Sequence, residues 1–351
     1  MTNNYDELFA QIETLVMLHS PSGVESEIDD FIQAKFEQLN VKSWLDAAGN
    51  AIAFIPGQNP DISIGITAHK DEIGAIVKDV KYDGTITLRN LGGSFPWVYG
   101  EGVIDLLGDH ETISGILSFG SRHISHESPQ KIHQTDIALK WENVWIETKL
   151  TLKELEKAGI RPGTRMVVGK HRKKPLRIKD YIASYTLDNK ASVAILLALC
   201  ERVKNPPVNI YLIASAKEEV GAIGALFFTQ RERLDALIAL EICPLSSEYP
   251  IEDGSAPVLL SQDGYGIYDE GLNQQIRKAA ENIDIPLQLA IITQFGSDAS
   301  IAMKFGNVGK ASCLAFPTQN THGFEIAHLG AINNCLEILT EFCQNYQAEM
   351  L

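Results

Sequence analysis

The sequence predicts an α/β protein: a mostly parallel sheet covered by helices, interrupted by a small β-barrel-like insertion. Three observations carry this reading. Apolar strand-like runs alternate with amphipathic helices over residues 1–73 and again over 173–351, and strands separated by helices pair in parallel under a helical cover. Residues 74–172 instead hold short β-like stretches divided by glycine-rich turns, the pattern of a small barrel or sandwich. A length of 351 residues also exceeds one typical domain. The expected organisation is one α/β domain in two parts, 1–73 and 173–351, with an inserted β-rich domain at 74–172.

The elements follow in order. Leu8, Ile12, Leu15 and Val16 recur on one face of a first helix. Ser20-Pro21-Ser22-Gly23 ends it, and residues 25–39 form a second helix with Ile28, Phe31, Ile32 and Phe36 together. VKSWLD, NAIAFIPG and, after the turn at Asn59-Pro60, ISIGITA read as strands, the last running into His69. In the insertion, AIVKDV, TITLRNL, GVIDLLG, ETISGILSF and VWIETK read as strands. The one plausible helix there, LTLKELEKAG, closes on Gly159. Beyond it come a helix at 190–203, the strand NIYLIAS, a helix at 221–233 and the strands ALIALE and PVLLSQ. A helix at 272–282, the strand LQLAIIT, a helix at 298–305, the strand ASCLAF and a helix at 331–346 complete the chain. Internal repeats and low-complexity segments are absent from the sequence.

Composition narrows the function. With 30 basic and 45 acidic side chains the formal charge is −15, which disfavours nucleic acid and an anionic membrane surface as partners. No apolar run reaches the length of a membrane span, and the opening MTNNYDELFAQIETLVMLHS carries acids where a signal peptide places basic residues. Cytoplasmic residence is the expectation. The five cysteines (Cys200, Cys243, Cys313, Cys335, Cys343) form no CxxC pair and read as free thiols buried as small hydrophobes. The basic run from Arg165 to Lys179 reads as a solvated hairpin or domain edge. LGGSFPWVYGEG lacks the Lys-Ser/Thr of a phosphate loop and precedes no helix.

The chemistry sits at strand ends, where open α/β sheets bind ligands. ISIGITA ends in His69-Lys70-Asp71-Glu72, NIYLIASA in Lys217-Glu218-Glu219, ALIAL in Glu241, and ASCLAFP leads to Asn320-Thr321-His322-Gly323. Asp188 stands just before a helix. Singly, each has an ordinary explanation: Asp188 as a helix N-cap, Glu218 and Glu219 as acids at a helix start, His69 as a core imidazole. Glu241 fits less easily, because a carboxylate within an apolar strand is costly unless paired. Together they make a divalent-metal site of imidazole and carboxylate ligands, suited to zinc, cobalt or manganese. Two imidazoles and three carboxylates are too many for one four-coordinate catalytic ion and enough for two ions about 3.5–4 Å apart sharing a carboxylate. Asp71, two residues beyond His69 on an extended segment, points to the same side and can accept the ring's other N–H. Of Glu218 and Glu219, one can ligate while the other acts as a base for metal-bound water.

His69-Lys70-Asp71-Glu72-Ile73-Gly74, Leu187-Asp188-Asn189-Lys190, Glu218-Glu219-Val220-Gly221, Phe295-Gly296-Ser297-Asp298-Ala299 and Thr321-His322-Gly323 together resemble the tetrahedral aminopeptidases. These form family forty-two of the metallopeptidases, which includes glutamyl and leucyl aminopeptidases once mislabelled endoglucanases. In the insertion, Trp141-Glu142-Asn143-Val144 and Gly159-Ile160-Arg161-Pro162-Gly163 are similar to the family as well. The resemblance implies that His69 and Glu241 hold one metal, Glu219 and His322 the other, and Asp188 bridges both, zinc or cobalt being the expected ions. It implies Asp71 as the orienter of His69, Glu218 as general base and acid, and a cis peptide after Asp188. It further implies peptide substrates and self-assembly through the insertion, from a dimer up to a twelve-subunit shell. Three departures stand out: Glu241 replaces the family's usual Asp, Gln319-Asn320-Thr321 precedes His322 where Arg-Tyr is usual, and Gly323-Phe324 follows it where Ser-Pro is usual. A related N-acyl amino-acid deacylase, a non-catalytic assembly protein and a metal-independent glycosidase are the competing readings.

Overall fold

The computed structural model describes residues 5–347. Its centre is four parallel strands. Asn59–His69 lies between Val208–Ser215 and Ala236–Pro244, and the latter pairs with Ala311–Gln319. Val208–Ser215, Ala236–Pro244 and Ala311–Gln319 are apolar runs buried almost from end to end, and Asn59–His69 is buried from Ile64 onward, as expected of strands covered on both faces. Antiparallel strands finish the edges: Ala51–Ile55 and Lys42–Leu45 on one side, and Phe324–His328, Tyr181–Tyr185 and Leu176–Ile178 on the other. Val258–Gln262 and Gln288–Ile291 bring the sheet to 11 strands.

Alternate residues feed two cores. Ile64, Ile66 and Ala68 pack with helices Asp6–Val16, Ser26–Gln38, Leu187–Arg202, Glu270–Asn282 and Leu329–Asn345. Ile213, Leu237 and Ala239 pack with Ile223–Thr229 and Asp298–Lys304. The layer order is helix, sheet, helix. Leu187–Arg202 is buried on nearly every side, as a central helix with apolar residues all round must be.

The insertion closes into a six-stranded barrel in the order Gly74–Val80, Ile86–Leu91, Trp145–Glu147, Thr112–Ser118, Gly102–Leu107, Arg165–Val168. It has its own core around Ile86, Ile104, Leu106, Leu117, Ile146 and Met166. Closure removes the exposed strand edges that an open sheet would leave. The helix Leu152–Ala158 ends on Gly159 at φ 79°, with a Thr151–Glu154 capping box at its start.

Several elements differ from the expectations. Arg165–Val168, Leu176–Ile178, Tyr181–Tyr185 and Phe324–His328 are strands that the sequence patterns did not suggest. They are only three to five residues long, too short to show a period clearly. The insertion holds two further short helices, Pro96–Tyr99 and Ile132–Thr135. The helix placed at 221–233 is confined to Ile223–Thr229. The basic run is only partly solvated: Lys170, His171, Lys174 and Lys179 are exposed, but Lys173 is fully buried.

Lys173 belongs to a charge network where the barrel meets the sheet. Its ammonium group lies 2.5 and 2.7 Å from the two Glu72 carboxylate oxygens and 3.0 Å from His19 Nδ1. The other His19 nitrogen is 3.1 Å from Asp105 of the barrel, and Lys190 reaches Glu72 at 3.3 Å. Burial would raise the Glu72 carboxyl, but Lys173 and Lys190 hold it at about 2. The folded value lies below the ordinary 4.5, so the stability it contributes is present above that pH and lost as pH falls towards 2. Lys173→Met should lower stability by about 3–5 kcal/mol, because one partner of a buried pair is removed. Chemical denaturation reads the change, and a loss below about 1 kcal/mol would show that the network does not hold the junction.

Candidate active site

The carboxyl ends of the four parallel strands converge on one edge of the sheet. His69 closes its strand opposite Ser215, and Glu241 lies in its strand opposite Ala315. Glu218 and Glu219 sit on the loop between Val208–Ser215 and the helix Ile223–Thr229, not on the helix itself. His322 occupies the turn between Ala311–Gln319 and Phe324–His328. Thr186, Lys217 and His322 adopt positive φ values of 66°, 57° and 63°, and left-handed residues let the chain turn sharply at these points. Asp188 precedes the regular part of its helix with non-helical angles, and its bond to Asn189 is cis.

These folds bring all seven singled-out residues together. His69 Nε2 lies 3.1 Å from Asp188 Oδ1, 3.9 Å from Glu218 Oε2 and 4.0 Å from Glu241 Oε2. His322 Nε2 lies 3.5 Å from Asp188 Oδ2 and 3.7 Å from Glu219 Oε1. Two triads result, His69–Asp188–Glu241 and Asp188–Glu219–His322, each with ligand atoms within 4.8 Å of one another. Asp188 belongs to both. It is not an N-cap, since its two carboxylate oxygens face two different imidazoles.

Asp71 meets His69 differently from the expectation. The ring's Nδ1 is 3.1 Å from the Asp71 main-chain oxygen and 3.6 Å from its carboxylate. The carboxylate instead accepts hydrogen bonds from the Ser22 hydroxyl (2.6 Å) and from the backbone N–H groups of Glu218 (2.9 Å) and Glu219 (3.3 Å). It therefore shapes the loop that carries both glutamates.

Two contributors escaped the sequence patterns. Glu325, fully buried, accepts the backbone N–H of Asp188 at 2.9 Å and that of His322 at 3.0 Å, fixing both residues. Its signal was weak: one acid in a short strand missed by periodicity. The second is Gly92-Gly93, in the glycine-rich stretch dismissed as a phosphate loop. Gly93 accepts from His322 Nδ1 at 3.2 Å, and a Cβ there would come within 2.8 Å of the ring. Gly92, at φ 72°, likewise lies against Glu219. Only glycines admit this approach of barrel backbone to the site.

The electrostatics fit a divalent cation. Burial raises Glu218, Glu219 and Glu241, with Glu219 reaching about 7, and neighbouring carboxylates add to the rise. Burial would lower the imidazoles, but the facing carboxylates raise His69 and bring His322 to about 10. Glu219 Oε1 is buried without a hydrogen-bond partner. Imidazole nitrogens and carboxylate oxygens without thiolate make a donor set that catalytic zinc and related ions accept. A cleft of about 610 Å³ opens over the cluster, lined by His69, Asp188, Glu218, Glu219, Glu241 and His322 together with aromatic side chains.

Comparison with known proteins identifies the family. The M42 glutamyl aminopeptidase family model matches residues 49–338, covering both sheet and barrel. YhfE of Bacillus subtilis is 26% identical over 343 residues, covering 95% of this chain and 96% of its own length. A lysyl aminopeptidase of Pyrococcus furiosus is 22% identical over 325 residues, 90% of this chain and 89% of its own. The TET1 peptidase of Pyrococcus horikoshii superposes with a TM-score of 0.86 at 20% identity, covering 96% of this chain and 99% of its own. Its structure assembles into a tetrahedron or a large octahedral shell. The chain belongs to the M42 glutamyl aminopeptidase family and is a peptide-bond hydrolase of the metallopeptidase class.

Proposed function

We propose that this enzyme is a two-metal aminopeptidase that removes N-terminal residues from peptides. The observation that carries the reading is Asp188, a single carboxylate shared by two ligand triads. His69 and Glu241 would hold one ion, Glu219 and His322 the other, with Asp188 between them. Zinc or cobalt suits these nitrogen and oxygen donors. When bound, the ions polarise the scissile carbonyl and make an attacking water more acidic.

The chain's own groups do the rest. Glu218 belongs to neither triad, yet its Oε2 lies 3.9 Å from His69 Nε2, so it stands beside the reacting centre without being consumed as a ligand. It takes the proton of the attacking water and returns it to the leaving amine. Asp71 holds Glu218 and Glu219 in place through their backbone N–H groups. Glu325 does the same for Asp188 and His322. Glu241 is one methylene longer than Asp, and its Oε2 still falls within the His69 triad.

Residues 1–73 and 173–351 form the catalytic domain, and 74–172 the assembly domain. Ile116, Ile132 and Ile137 of the insertion are exposed apolar side chains suited to contact between copies. The dodecamer of one TET1 structure and the shells of another support self-assembly of this chain, from a dimer up to a dodecamer. Five buried free cysteines are consistent with the cytoplasm, and no helix among the described residues is long and apolar enough to cross a membrane.

Three measurements test this reading. Elemental analysis of Asp188→Ala should show most metal lost, and retention of two ions per subunit would refute the bridge. Glu218→Gln should keep its metal while kcat falls about 10²–10⁴-fold; unchanged kcat removes Glu218 from proton transfer. Light scattering should give a mass several times 38.6 kDa, and a monomer at micromolar concentration would end the assembly proposal without touching the chemistry.

A further inference from the structure

We infer that the cleft selects peptides whose N-terminal residue carries a large apolar or aromatic side chain and rejects acidic ones. The inference rests on the aminopeptidase reading above and names the substrate class of the same site.

Two aromatic walls face the ligand cluster. From the barrel come Phe95 and Trp97, stacked with ring centroids 5.7 Å apart. From the sheet side come Tyr249, Tyr265, Phe295 and Ile301. Phe95 is 54% exposed, Trp97 56% and Tyr265 43%, so apolar area remains free beside an otherwise charged site. A Cβ at Gly296 would lie 2.3 Å from the Tyr265 ring. That glycine therefore lets the ring lie against the backbone instead of being pushed away. Surface of this kind gains by covering an apolar side chain and removing both from water.

Desolvation supplies the rejection. Among the described residues no Lys or Arg lines the cleft, and its one carboxylate outside the cluster of Asp188, Glu218, Glu219 and Glu241, whose charge two bound ions would offset, is Glu248. Lys304 lies over the Tyr265 ring, 4.7 Å from its centroid, but it does not line the cleft. A glutamyl or aspartyl side chain entering here would lose its hydration against the aromatic walls and meet no cationic side chain to offset that loss. A lysyl side chain would find only Glu248, an exposed residue, and would lose its own hydration against the aromatic walls. Specificity of this sort combines an attractive apolar contact with an uncompensated desolvation cost for the wrong partner. The family model's glutamyl description therefore does not extend to the side-chain pocket of this chain.

The test is a panel of aminoacyl-p-nitroanilides (Ala, Leu, Phe, Glu, Lys) with the metal-loaded enzyme. Leu and Phe should exceed Ala in kcat/KM by roughly tenfold or more, the scale of apolar pocket contacts. Glu should fall about a hundredfold below Phe, and Lys should fall below Phe as well. Tyr265→Arg, checked for an unchanged melting temperature, should raise the Glu-to-Phe ratio at least tenfold. An unchanged ratio would remove this wall from the substrate site. Glu or Lys turned over as well as Phe would overturn the inference while Ala turnover still upholds the aminopeptidase reading. No turnover of any substrate, Ala included, would overturn both.

Discussion

Gathering carboxylates in a desolvated cleft is the constraint on which the rest of the structure depends. Asp188, Glu218, Glu219 and Glu241 are all turned towards two imidazoles. Two unit charges about 4 Å apart repel by roughly 4 kcal/mol at an effective dielectric of about 20, so the cluster exists only if the fold over-determines it. Strand ends supply that rigidity. His69 and Glu241 are each held in a strand ladder on one side, opposite Ser215 and Ala315, and the loops that carry the remaining groups are pinned by Asp71 and Glu325. Both pinning carboxylates accept backbone N–H groups of the functional residues, so they set position and spend their own negative charge on hydrogen bonds at once.

The same logic explains why the insertion is anchored by charge. Glu72 lies three residues beyond His69, at the point where the chain leaves the sheet for the barrel. Lys173 lies where it has just returned, and the two meet in a fully buried ion pair. Lys190, on the helix that Asp188 begins, reaches the same carboxylate and also the Leu18 main-chain oxygen at 2.6 Å. The residues of the two triads and the barrel junction thus share one helix and one strand end. A shift at the junction must move His69 or Asp188, and the seating of the barrel is therefore part of the geometry of the site.

Much of this was legible in the sequence, and the limits have physical causes. The parallel strands were readable because burial on both faces makes them continuous apolar runs, and their ends were readable because a polar residue closing such a run has few ordinary explanations. Glu241 was the clearest case. The barrel was foreseen as a cluster of short strands, but its closing strand Arg165–Val168 was hidden within a basic run. Lys173 was misread for the same reason. A lysine among lysines looks solvated, and only three dimensions reveal that Glu72, distant in sequence, stands opposite it. Glu325 was invisible because its partners are backbone N–H groups, which leave no trace in sequence spacing. Asp71 was placed correctly beside His69, but the local turn set the main-chain oxygen nearer the ring and freed the carboxylate for the 218–219 loop.

The two bodies divide the labour unequally. The sheet supplies every residue of the two triads, whereas the barrel supplies Gly92-Gly93 and the Phe95–Trp97 wall. That loop is fixed at its root, where the Trp141 indole N–H donates to the Ser94 carbonyl at 2.9 Å and the Ser94 hydroxyl donates to the Gly74 carbonyl. Its tip leaves two large rings open to the cleft. A ligand set at strand ends tolerates almost no change, since each member is surrounded by the others. Side chains on an anchored loop can change without disturbing the backbone that carries them. The candidate ligands are therefore bound to the sheet, while one aromatic wall of the cleft is carried by the barrel, which the Gly93–His322 contact brings up against them.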